Sequence, residues 1–114
     1  MIDNSFFVYI ITSKYNTAFY TGVTKTLVRR INEHRNGTGS VFTHRYNLNK
    51  LVYHEVYPDS KSAIVREKQI KAGSRKKKLE LIHSLNPNWD DLFENWLVYK
   101  ERLPRHLALF GSSQ

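Results

Sequence analysis

Phe6 to Thr12 is an unbroken apolar stretch whose aromatic and β-branched residues predict a buried strand. Polar, turn-forming Ser13-Lys14-Tyr15-Asn16-Thr17 follows, and then a second strand over Ala18 to Val23. The two are expected to pair as an antiparallel hairpin, and a four-residue loop would set Tyr9 opposite Tyr20. Thr24 or Thr26 can cap a helix running to about Arg35, with Leu27 and Ile31 one turn apart facing the core. Asn36-Gly37 supplies a left-handed stop, and residues 36 to 50 read as a loop of scattered polar and aromatic residues. Leu51 to Tyr57 is a third strand, ended by Pro58. Asp59-Ser60 caps a second helix with Ala63, Ile64 and Ile70 as apolar positions, and Gly73 ends it. Ser74 opens a third helix in which Leu79, Ile82 and Leu85 are spaced to pack inward, closed by Asn86-Pro87. Asn88 to Tyr99 reads as a short terminal helix carrying Trp89, Leu92, Phe93 and Trp96. The pattern predicts an α+β domain, a three-stranded antiparallel sheet flanked by helices, over residues 1–100, with 101–114 as a tail.

At 114 residues there is room for one core, and a hydrophobic content of 40% is enough to build it. Eighteen Lys and Arg oppose ten Asp and Glu, a formal net charge of +8. A surface that basic points to a polyanionic partner, nucleic acid or an anionic membrane. The chain has no cysteine, which excludes disulfides, thiolate metal sites and a Cys nucleophile, and suits a reducing cytoplasm. No stretch approaches the ~20 apolar residues of a membrane span. The run Phe6 to Ile11 lacks the basic lead and small-residue cleavage site of a signal peptide.

Few residues carry candidate chemistry. Glu67 sits one turn after Ala63 and three residues before Ile70, so it points roughly where the apolar side chains point. A carboxylate there needs a cation or a metal to stay charged, and a surface glutamate paired with Lys68 or Lys71 is the plainer reading. Arg30 and His34 lie four apart on one helix face, and Tyr9 and Tyr20 are strand residues that packing alone would explain. Residues 61 to 80 hold eight Lys or Arg against two Glu, and Arg75-Lys76-Lys77-Lys78 opens a helix, where cations oppose the helix dipole. That mild cost favours phosphate contact over a solvated face. Asp90, Asp91 and Glu94 form an acidic cluster that either caps the terminal helix or offers a second metal position.

Together, these residues carry a family resemblance. Val8-Tyr9-Ile10 and Tyr20-Thr21-Gly22 resemble the two signature tripeptides of the GIY-YIG nuclease domain, with Arg30 ten residues after the second tyrosine and His34 one turn later. That spacing is similar to the family's group I intron homing endonucleases, and up to Arg30 to the nuclease domain of the bacterial excision-repair incision enzyme. Leu51-Val52-Tyr53, Arg66-Glu67-Lys68-Gln69-Ile70-Lys71, Arg75 to Lys78 and Asn86-Pro87-Asn88-Trp89-Asp90-Asp91-Leu92 resemble the small stand-alone bacterial members. Val8 replaces the motif's first glycine and Thr21 its middle isoleucine, both as packing changes that leave the tyrosines in place. Asn86 and Asn88 both compete for the family's late asparagine.

The resemblance implies a metal-dependent endonuclease acting on DNA, in repair or recombination. Glu67 would bind one Mg²⁺ or Mn²⁺, which keep most of their waters. Arg30 would grip the scissile phosphate with its planar fork. Tyr9 would accept the proton of the attacking water, Tyr20 would orient that water or the phosphate, and His34 would bind phosphate or shuttle a proton. Arg30, His34, Lys71, Arg75, Lys76, Lys77 and Lys78 would line the nucleic-acid face, and a protein partner would supply specificity a domain this small lacks. The competing readings are a nucleic-acid-binding module without cleavage, and an interaction protein that uses its C-terminal aromatics.

Overall fold

The computed structural model describes residues 5–94. The first apolar run forms β1 (Phe6–Thr12), buried from Phe7 onward. A strand covered on both faces needs no polar alternation, and β1 lies between β2 (Phe19–Thr24) and β3 (Lys50–Tyr57) in the order β2-β1-β3, antiparallel to each. The predicted α+β class and three-stranded antiparallel sheet hold.

Five features of the prediction are corrected. The hairpin ladder places Tyr9 opposite Gly22 and Ile11 opposite Tyr20, so the tyrosines are diagonal neighbours on one face. The turn is longer than expected because Asn16 takes a left-handed conformation, φ 59°, and Thr12 Oγ1 donates to the Ala18 carbonyl to close the hairpin mouth. A short helix, α2 (Val41–Arg45), interrupts the segment read as loop. Its Ser40 side chain accepts from the Thr43 amide while the Thr43 hydroxyl accepts from the Ser40 amide. Ile64 and Leu85 stand 41% and 48% exposed, so the apolar stripes of their helices are narrower than their spacing suggested. The terminal helix starts later, since Trp89 adopts φ 58° and helical residues begin at Leu92. Trp96, the rest of that helix and the 100/101 boundary lie outside the described residues.

The other helices start and stop where the sequence placed them. α1 (Leu27–Arg35) follows Thr26, but against expectation neither threonine caps it with its side chain: Thr24 Oγ1 accepts from the Thr26 amide instead, and Gly37 at φ 79° turns the chain away. Asp59 accepts from the Ser62 amide to open α3 (Ser60–Ala72), and Ser74 accepts from the Lys77 amide to open α4 (Arg75–Leu85).

Each face of the sheet has its own core. Val8, Ile10, Val52 and Tyr53 meet Ala63 and Ile70 of α3 and Ile82 of α4. Tyr9, Ile11 and Leu51 meet Ile31 of α1, Leu48 and Phe93. Val8 and Thr21, the two departures from the family pattern, are both buried strand residues. The β1–β3 register shifts between Ile10 and Ile11: Ile10 pairs with Tyr53, Ile11 with Leu51, and Val52 is the extra residue of a bulge. Val52 and Tyr53 therefore join the same core. Beyond the bulge Glu55 faces α3, where its carboxylate accepts from the Arg66 guanidinium and from the hydroxyls of Tyr53 and Tyr57.

Candidate active site

Tyr9 projects from the centre of β1 toward α1, and its hydroxyl meets His34 Nε2 at 3.0 Å. The other ring nitrogen, Nδ1, is 3.0 Å from Thr43 Oγ1. The same Thr43 oxygen lies 3.1 Å from the Ser40 carbonyl and takes the Ser40 amide, so the start of α2 holds it against the imidazole. In the tautomer with its proton on Nδ1, the imidazole accepts from the Tyr9 hydroxyl at Nε2. α2 thus orients the candidate site's histidine, although nothing in its apolar pattern marks it as part of a site.

Two glycines make room for this chain of hydrogen bonds. A Cβ on Gly22 would fall 2.5 Å from the Tyr9 hydroxyl oxygen, because the tyrosine ring lies across the strand at that point. A Cβ on Gly39 would fall 2.3 Å from His34 Nδ1. Gly22 belongs to the second signature tripeptide, and its role here is to let the first tyrosine cross over it.

Tyr20 stands beside the pair, its ring centroid 6.3 Å from that of Tyr9 and 5.4 Å from that of His34. Arg30 comes from the preceding turn of α1, with its side chain 39% exposed and anchored on Glu33 at 3.1 Å. It is close enough for its charge to act on both neighbours. Burial raises the Tyr9 pKa, Tyr20 adds to that, and Arg30 opposes it. Burial lowers the His34 pKa, and Arg30 lowers it further. Both shifts favour a protonated tyrosine and a neutral histidine, a pair in which the Tyr9 hydroxyl can donate to Nε2.

Glu67 reaches the site from α3, which packs on β1 and β2. Its carboxylate is 18% exposed and pairs with Lys71 Nζ at 2.9 Å, and its charge is felt at Tyr9. Lys71 also lies over the Tyr20 ring, 6.0 Å from the centroid. No cluster of three His, Cys, Asp or Glu able to hold a metal occurs among the described residues. The donor set for a divalent ion is therefore one largely buried carboxylate, which fits a hard cation that keeps its waters and does not fit a ligand-rich metal such as zinc.

The basic run is divided by its contacts. The Arg75 guanidinium lies 4.9 Å from the Phe19 ring centroid and donates to the Thr17 and Asn16 carbonyls, so it braces the hairpin turn. Lys78 donates to the Gly73 carbonyl at 2.8 Å and closes α3. Lys76 and Lys77 are exposed. Asn86 is buried, with its amide donating to the Val52 and Asp90 carbonyls and its oxygen accepting from the Asp90 amide, so its polar atoms tie α4 to β3. Asn88 is exposed in the turn that follows. Asp91 and Glu94 pair with the Arg35 guanidinium, and Asp91 also accepts from the Phe93 amide as a cap. The acidic cluster is thus a clasp on α1.

Sequence reasoning passed over Thr43, Gly39 and His54. His54 sits opposite Tyr9 on β3 with a buried Nδ1 lacking a hydrogen-bond partner, and burial lowers its pKa. Ser40-x-x-Thr43, a capping pattern directly after Gly39, was the available signal for the first two.

Two tyrosines sharing one sheet face with a histidine and an arginine of the next helix, and a glutamate from a helix behind, define a class of small α+β catalytic domains. Residues 5–80 match the GIY-YIG catalytic domain, and the chain belongs to that family, a nuclease family. A UPF0213 protein of Staphylococcus saprophyticus is 40% identical over 76 residues, covering 67% of this chain and 92% of the relative. A UPF0213 protein of Clostridium perfringens is 41% identical over 78 residues, 68% of this chain and 83% of the relative. The solution NMR structure of the UPF0213 protein BH0048 from Bacillus halodurans matches with a TM-score of 0.50 at 30% identity, covering 77% of this chain and 93% of that one. No helix among the described residues is long and apolar enough to cross a membrane.

Proposed function

We propose that this chain is a metal-dependent endonuclease that hydrolyses phosphodiester bonds in DNA, with repair or recombination intermediates as its substrates. The observation that supports it most is the relay from the Tyr9 hydroxyl to His34 Nε2 at 3.0 Å, with Nδ1 held by Thr43. Water attacking phosphorus must lose a proton, and a tyrosine held protonated by burial is a poor base by itself. With the neutral imidazole behind it, the Tyr9 oxygen takes the water's proton as its own hydrogen passes to Nε2, and the imidazolium later gives that proton to solvent. Arg30 meets the phosphate oxygens with its fork, and Tyr20 orients the attacking water. Glu67 would hold a Mg²⁺ or Mn²⁺, which supplies charge stabilisation at the phosphate and the leaving oxygen. Lys71, Lys76 and Lys77 continue a basic wall along α3 and α4 that follows the DNA backbone, while Arg75 and Lys78, held by the hairpin turn and the end of α3, add their charge to it. With no reader of base sequence among the described residues, site choice falls to DNA structure or to a protein partner. A reducing compartment such as the cytoplasm suits a chain without cysteine.

The test is a cleavage panel of duplex, nicked, branched and single-stranded DNA with Mg²⁺ or Mn²⁺, run beside Glu67→Gln. The parent is expected to cut at least one structure, and the variant to keep its fold and DNA binding while losing cleavage. Salt-dependent DNA binding with no cleavage by the parent would make it a binding module instead.

A further inference from the structure

We propose that Lys71 is a resident counter-ion of Glu67 that changes places with the divalent metal as substrate binds. The inference rests on the reading of Glu67 as the metal ligand. A carboxylate only 18% exposed needs a cation at all times, not only during turnover. The neighbouring cations have other partners: Arg66 is bound to Glu55, and Arg30 to Glu33. Lys71, one helical turn after Glu67, places its ammonium 2.9 Å from Oε2. The oxygen a metal would take is therefore already held by a positive charge, and two cations on one carboxylate repel each other.

Lys71 is built to leave. Its side chain is 51% exposed, and its ammonium is a point charge on a flexible stem. It also rests 6.0 Å from the Tyr20 ring centroid, on the tyrosine assigned to the water and phosphate. A phosphate arriving there offers the displaced ammonium a new partner beside its old one. Two consequences follow. Metal binds weakly to the free protein, because it must evict a lysine. Metal and DNA also bind with positive coupling, since each makes room for the other, and that coupling is reciprocal.

The experiment is a calorimetric titration of Mn²⁺ into parent, Lys71→Met, Lys71→Arg and Glu67→Gln, each alone and with a short phosphorothioate DNA that resists cleavage. Lys71→Met is expected to bind Mn²⁺ roughly two- to fivefold more tightly than the parent without DNA, the range of a partly exposed ion pair. The tightening that DNA produces in the parent should largely vanish in this variant. Lys71→Arg should shift the other way, because a fork holds the carboxylate more firmly than a point charge. A merely structural lysine would move both variants in the same direction. Parent-like or weaker Mn²⁺ binding by Lys71→Met, with binding lost in Glu67→Gln, overturns the exchange and leaves the metal reading standing. Parent-like binding by Glu67→Gln overturns both.

Discussion

Replacing Gly22 by Ala tests the geometry on which the relay depends. The new methyl would lie 2.5 Å from the Tyr9 hydroxyl oxygen and 2.6 Å from Cζ. Ordinary carbon contacts run ~3.5–4.0 Å, so the ring must retreat by about 1 Å. It has nowhere to go: Tyr9 is 2% exposed and bonded to His34. Overpacking of this kind costs ~1–3 kcal/mol, and the broken tyrosine–histidine bond adds ~1 kcal/mol. The reduced freedom of the unfolded chain returns ~0.5–1 kcal/mol. A net loss of ~1–3.5 kcal/mol corresponds to a fall in Tm of roughly 4–15 °C for a domain of this size. Misplacing the tyrosine by that distance should also slow cleavage by about 10². Gly73→Ala is the matched control, since its Cβ would meet nothing nearer than 3.4 Å. Thermal melts followed by circular dichroism, with cleavage assayed where both variants are folded, give the answer. A Gly22→Ala protein that melts within 2 °C of the Gly73→Ala control and cuts at its rate would refute the crossing of Tyr9 over the glycine.

Further outcomes follow from the same geometry. Arg30→Lys keeps the charge and loses the fork, so single-turnover cleavage should fall by roughly 10²–10³, while Tm stays close to the parent because the side chain is well exposed. Lys76→Ala with Lys77→Ala should reduce the slope of log affinity against log salt by up to ~1.8, read by fluorescence anisotropy at several salt concentrations. Burial lowers the pKa of His34 and of His54 from 6.5, so between the lowered values and 6.5 the unfolded chain binds more protons than the folded one. Stability therefore rises with pH through that window, and the urea midpoint should be lower at pH ~5.5 than at ~7.5, with the gap narrowed in His34→Gln.

Much of the fold was legible because single residues announce it. Phe6 to Thr12 could only be an interior strand, and Asp59, Gly73 and Ser74 are stop and start signals for helices. The hairpin register was not legible, since Asn16 can enter the left-handed region or stay out of it, and the choice moves every cross-strand pair. The candidate site residues Tyr9, Tyr20, Arg30, His34 and Glu67 came from the resemblance, and in the structure Tyr9, Tyr20 and His34 are in contact, with the charges of Arg30 and Glu67 felt at Tyr9. What holds them was hidden. Thr43 reaches His34 only because a five-residue helix with an exposed Val41 and Phe42 turns it inward, and no periodicity marks a helix that short. The division of the basic run was hidden too, because Arg75 and Lys78 find their partners across the fold and along the backbone.

The bulge at Val52 makes β3 two half-strands of opposite phase. Before it, Leu51 faces α1; after it, the residues that would have followed Leu51 onto that face are turned toward α3. Were every residue kept but the bulge straightened, Val52 would fall opposite Ile10 and Glu55 opposite Phe7, sending Glu55 to the α1 face, stranding Arg66 without its carboxylate and pressing His54 into the apolar layer beneath α3 and α4. Both sides of the sheet would fail together. The extra residue and the bulge that absorbs it therefore go together, and a shuffled or grafted version of this domain has to carry the Leu51-Val52-Tyr53 step with its bulge.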